Sequence, residues 1–134
     1  MASVAGFLVF LSLFRISIPK SSRMDKRIKI GKPGSFPLND FTYMAAYKIY
    51  VYRDNSGMRV VSSNCTHLGC GIEKSLEGFQ CFCHGSTYDK SGNVISGPAL
   101  KALPWYRLYK STEGQVIVDM AKIVDSEFKL KANP

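Results

Sequence analysis

The chain has 134 residues and a formal net charge of +8. Set apart from an apolar N-terminal stretch, roughly a hundred residues remain, enough for one compact domain and few enough to call for a disulfide or a metal. The basic excess argues for a lipid surface rather than a nucleic acid. Lys20, Arg23, Lys26, Arg27, Lys29 and Lys32 crowd directly behind the apolar stretch, and the charges downstream are mixed.

Residues 1–19 read as a membrane anchor. Ala2 to Ile18 is interrupted only by small residues and by Arg15, near the end where a long side chain reaches the interface. Phe7, Leu8, Val9, Phe10, Leu11, Leu13 and Phe14 are apolar all round, unlike the single stripe of a soluble helix. A cleaved signal peptide fits less well, because no basic n-region precedes the stretch. Residues 20–29 read as a flexible tether, and 30–134 as the folded domain.

Short β-type runs follow. Phe41–Tyr43 and Tyr47–Arg53 carry aromatic and β-branched residues, the run 54–57 (Asp-Asn-Ser-Gly) makes a turn, and Met58–Ser62 is the partner strand. Leu103–Lys110, a turn over 111–114 and Gln115–Asp119 form a second hairpin. The tail from Ala121 either frays or packs back as an edge strand through Phe128 and Leu130. The expected fold is all-β, an antiparallel sandwich. Between the hairpins, residues 64–103 are poor in strand signals and rich in Gly, Cys and polar residues, as expected of a small metal-held subdomain.

All four cysteines and both histidines lie in that stretch, in Cys65-Thr66-His67-Leu68-Gly69-Cys70 and in Cys81-Phe82-Cys83-His84-Gly85-Ser86-Thr87-Tyr88. A chance scatter would not leave the rest of the chain empty of both residue types. Cysteine and histidine at such spacing are metal ligands by residue type. A zinc-stapled binding module is one reading, but it leaves two cysteines without a role.

The two segments resemble the paired cluster-binding motifs of Rieske iron–sulfur proteins, and Gly97-Pro98-Ala99 is similar to the proline loop that covers the cluster there. Phe82 departs from the proline common at its position. The resemblance implies one [2Fe–2S] cluster per chain, with Cys65 and Cys81 on one iron and His67 and His84 on the other. It implies a disulfide between Cys70 and Cys83, and with it an oxidising, extracytoplasmic compartment. It also implies cluster-tuning hydrogen bonds, from Ser86 to a bridging sulfide and from Tyr88 to Cys65.

Within that family the disulfide points to the high-potential branch. The expected protein is the iron–sulfur subunit of a membrane quinol:cytochrome c oxidoreductase, part of a dimeric multisubunit complex. Its expected partners are a cytochrome b subunit, a c-type cytochrome and quinol, with no nucleic acid. His84 is the expected quinol contact and proton acceptor. Leu68, Gly97, Pro98 and Ala99 form the expected docking tip. The alternative is the small Rieske subunit of an arsenite-oxidase-like periplasmic enzyme. The basic cluster alone places the domain on the cytoplasmic side; the disulfide places it outside, and the disulfide is the stronger argument.

Overall fold

The computed structural model describes residues 26–131. The expected anchor, the first part of the tether and the last three residues lie outside that range. Among the described residues, no helix is long and apolar enough to cross a membrane.

Ten strands follow in chain order: β1 (Arg27–Gly31), β2 (Asp40–Met44), β3 (Ile49–Asp54), β4 (Gly57–Ser62), β5 (Glu73–Lys74), β6 (Gly78–Gln80), β7 (Thr87–Asp89), β8 (Val94–Ser96), β9 (Trp105–Lys110) and β10 (Val116–Val124). Six make one antiparallel sheet in the order β1-β10-β9-β4-β3-β2. β5 to β8 make a second, four-stranded meander inserted between β4 and β9. The architecture is an antiparallel sandwich with a half-barrel character.

Alternation along the central strands explains how the two parts join. Ile49, Val51, Met58, Val60, Leu108, Val116 and Val118 face one core, closed by Ile30 and Phe36. Their neighbours Tyr50, Val61 and Trp105 face the other, where Phe79, Tyr88, Ile72, Cys65, Cys81 and Leu103 of the insertion cover them. The middle of the large sheet is therefore apolar on both faces, and burying the second face against the insertion fixes the insertion in place.

Local chemistry sets the boundaries. In the β3–β4 turn, Asp54 Oδ1 accepts hydrogen bonds from the backbone N–H groups of Ser56 and Gly57. Tyr47 falls outside the strand expected for it. It sits in a 3-10 turn, Ala45–Tyr47, and the left-handed Lys48 (φ 52°) turns the chain before Ile49. Leu103 also lies outside its expected strand, because its N–H donates to Gly92 O and its side chain joins the insertion's core.

Residues 27–29, expected in the tether, are strand instead. Ile28 and Ile30 pack inward, β1 pairs with β10, and Arg27 meets Asp119 at 3.4 Å. The tail packs back as an edge. Leu130 and Met58 exchange two backbone hydrogen bonds, and Lys129 Nζ lies 2.6 Å from Asp54 Oδ2.

Candidate iron–sulfur site

Two loops of the insertion fold into the same six-residue turn. In the first, Cys65 N donates to Cys70 O (2.7 Å) and Gly69 N donates to Cys65 O (2.9 Å). In the second, Cys81 N donates to Ser86 O (2.8 Å) and Gly85 N donates to Cys81 O (3.0 Å). Each turn opens on a cysteine and places a glycine fifth, at φ 81° and 77°, in the left-handed region that a β-carbon disfavours. The opening cysteines are thereby buried, at 3% and 1% exposure.

The four sulfurs divide into two kinds. Cys70 and Cys83 are joined in a disulfide, which links the sixth position of the first turn to the third of the second. Cys65 and Cys81 are free and buried. The Sγ atoms of Cys70, Cys81 and Cys83 lie within 4.8 Å of one another. Two of those three are spent in the disulfide, leaving Cys65 and Cys81 as the available thiolate donors.

The histidines meet at the outer end. The rings of His67 and His84 stand edge to face, with centroids 5.0 Å apart. His84 is exposed, whereas His67 is half-buried and its Nδ1 is shielded from solvent without a hydrogen-bond partner. A buried imidazole nitrogen left unpaired costs free energy unless something occupies it. Two thiols, two imidazoles and this orphaned atom fit an iron–sulfur cluster.

Hydrogen bonds converge on Cys65. Tyr88 Oη lies 3.2 Å from Cys65 Sγ. Thr66 N donates to the same oxygen at 3.1 Å, and Thr66 Oγ1 donates to Lys101 O at 2.6 Å. Burial pushes the Cys65 thiol up, but hydrogen bonds from Tyr88, the His67 N–H, Cys81 and Ser86 outweigh it and hold the thiol below its ordinary range. Tyr88 moves the other way: burial raises its hydroxyl, and the facing Cys65 adds to the shift.

A third loop, 97–101, closes over the two turns. Ala99 N donates to Ser86 Oγ at 3.2 Å. Gly97, at φ 96°, passes so close that a β-carbon there would meet Ser86 Cα at 2.5 Å. One expected tip residue is therefore turned away from the surface. Ala99 is 3% exposed and faces inward, because its backbone is held by the buried Ser86. Its neighbour Leu100 is 93% exposed and stands outward with Leu68, at 71%, and Phe82, at 66%. Gly97 and Pro98 are exposed. Thr66, which ties the first turn to the third loop, and Leu100 carried no motif signal in the sequence.

An antiparallel frame that gathers two buried thiols and two facing imidazoles at one end defines a protein equipped to hold a metal centre. The chain belongs to the Rieske family: the Rieske [2Fe-2S] domain matches residues 26–107. It is 34% identical over 76 residues to the cytochrome b6-f complex iron-sulfur subunit of Chlorobaculum tepidum, covering 55% of this chain and 41% of that one. It is 45% identical over 62 residues to the ubiquinol-cytochrome c reductase iron-sulfur subunit of Bradyrhizobium diazoefficiens, covering 42% and 35%. Against the cytochrome b6-f complex iron-sulfur subunit 2 of Cyanophora paradoxa the identity is 30% over 118 residues, covering 84% and 47%. The chain spans less than half the length of each of these curated relatives.

Proposed function

We propose that the chain is the electron-transfer subunit of a membrane quinol:cytochrome c oxidoreductase, with Cys65 and Cys81 holding one iron of a [2Fe–2S] cluster and His67 and His84 the other. The observation that carries the reading is the pairing of two buried free thiols with two histidines that meet at the surface, one with an orphaned nitrogen. Bound there, the cluster supplies one-electron chemistry at a potential raised by two neutral imidazoles in place of two thiolates.

The chain's own residues do the rest. The twin turns, locked by the Cys70–Cys83 disulfide, exclude water from Cys65 and Cys81. Tyr88 would donate to Cys65 and Ser86 to a bridging sulfide, each stabilising added negative charge. In this reading His84, which is exposed, accepts a hydrogen bond and then a proton from a quinol hydroxyl. Leu68, Phe82, Pro98 and Leu100 give the surrounding surface an apolar character suited to a cytochrome b subunit in the bilayer. From there the domain passes its electron to a c-type cytochrome. The disulfide supports a domain outside the cytoplasm, and residues 1–19 supply the anchor.

A redox titration followed by electron paramagnetic resonance at several pH values tests the reading. The expected result is a reduced-state signal whose midpoint falls as pH rises, as proton-coupled imidazoles require. A zinc-loaded, signal-free protein or a pH-independent midpoint would refute it. Co-purification with a molybdopterin subunit instead of b-type haem would transfer the chain to an arsenite-oxidase-like enzyme.

A further inference from the structure

The free thiol of Cys81 lies against a disulfide. Its Sγ and the two bonded sulfurs of Cys70 and Cys83 fall within 4.8 Å of one another, inside a rigid pair of turns. A thiolate held next to a disulfide attacks it without a diffusional encounter, in line with the S–S bond, and proximity raises the rate of that exchange. We propose that the cluster-free chain exchanges this disulfide internally, consuming Cys81 and closing its own metal site. The inference rests on the reading of Cys81 as a cluster ligand only for what protects it.

The step balances without an outside oxidant. Cys81 Sγ bonds to Cys70 Sγ as its proton passes to the departing Cys83 Sγ. The Cys70–Cys83 bond breaks, and Cys83 Sγ leaves with the electron pair and takes up a proton. Two thiols and one disulfide enter, and two thiols and one disulfide remain. Attack at Cys70 is favoured over Cys83 for two reasons. Cys81 and Cys83 are separated by one residue, so a bond between them closes a strained ring, and Cys83 is exposed, so its thiolate is solvated as it leaves. Cys65 stays outside the compact group of three sulfurs and remains a thiol.

The consequence is a brake on assembly. A bound iron would occupy Cys81 Sγ and remove the nucleophile, so the loaded chain would keep its native disulfide. A chain that loses its cluster reloads slowly, because Cys81 must first be restored by back-attack of Cys83 or by a reductant.

The test strips the cluster with a chelator under anaerobic conditions, quenches aliquots with acid at intervals, labels the free thiols with N-ethylmaleimide in guanidinium, and maps them by peptide mass spectrometry. The expected result is that label moves from Cys65 and Cys81 to Cys65 and Cys83, with most of the conversion occurring while the far-ultraviolet circular dichroism stays native. Label that remains on Cys65 and Cys81, or that moves only in urea, overturns the proposal. A Cys81→Ser chain must keep Cys70–Cys83 intact; labelled Cys83 in that chain overturns it too. Exchange in the loaded chain would instead overturn the ligand role of Cys81 while leaving the sulfur chemistry standing.

Discussion

Tyr88→Phe removes one oxygen and nothing else from a side chain that is 0% exposed. That oxygen accepts a hydrogen bond from Thr66 N, and the hydroxyl proton of Thr66 is committed to Lys101 O, so the Tyr88 proton faces two acceptors, Thr66 Oγ1 at 3.1 Å and Cys65 Sγ at 3.2 Å, of which a charged thiolate is the stronger. A hydrogen bond to a charged acceptor is worth about 1.5–3 kcal/mol against about 0.5–1.5 kcal/mol for a neutral one. Adding an electron makes the sulfur a more charged acceptor, so the bond favours the reduced state by about 1 kcal/mol, which is roughly 40 mV for one electron. The expected outcome is a midpoint lowered by about 40 mV, with an unchanged resonance line shape showing that the cluster is retained. The variant also strands Thr66 N, so urea unfolding should show a loss of about 1–3 kcal/mol. A midpoint that stays put while stability falls would mean that the hydroxyl orders the loop without donating to Cys65, and the reasoning would fail.

Gly97→Ala forces a β-carbon to 2.5 Å from Ser86 Cα at a φ of 96°; urea denaturation should show a loss of about 2 kcal/mol or more, and wild-type stability would contradict the packing. Replacing both Cys70 and Cys83 with serine opens a link spanning a sequence separation of 13, and the unfolding free energy should fall by about 3 kcal/mol. Burial pushes the Asp54 carboxyl up, but hydrogen bonds from Lys129 and Ser56 outweigh it and hold it well below the carboxylate range. Its folded pKa is thus lower than its unfolded one. The stability it contributes is complete at neutral pH and is lost as pH falls below about 4 toward the folded value. Asp54→Asn should therefore lower the urea midpoint at pH 7, with the gap to wild type closing in acid; a gap that is constant with pH refutes the ion pair with Lys129.

What the sequence disclosed follows from which signals are local. The β3–β4 hairpin was legible because its turn chemistry and its aromatic and β-branched runs lie within a dozen residues. β1 was not. Lys26, Arg27 and Lys29 mask the inward alternation of Ile28 and Ile30, and only pairing with β10, some ninety residues away, makes a strand of them. β5 to β8 are two or three residues long, too short for any period, and they persist because Phe79 and Tyr88 fill the second face of the large sheet.

The candidate site divides in the same way. Its candidate ligands were legible because cysteine and histidine are rare and crowd into two segments. The identity of the two turns was hidden, because the turns share only cysteine first and glycine fifth, while their geometry lives in backbone hydrogen bonds that any side chain permits. The facing of the third loop was hidden for a related reason. Ala99 and Leu100 are both apolar, and which one turns inward depends on a single acceptor, the Ser86 hydroxyl, thirteen residues back. Motifs alone therefore do not tell which of the two stands outward; burial does, and it is Leu100 rather than Ala99.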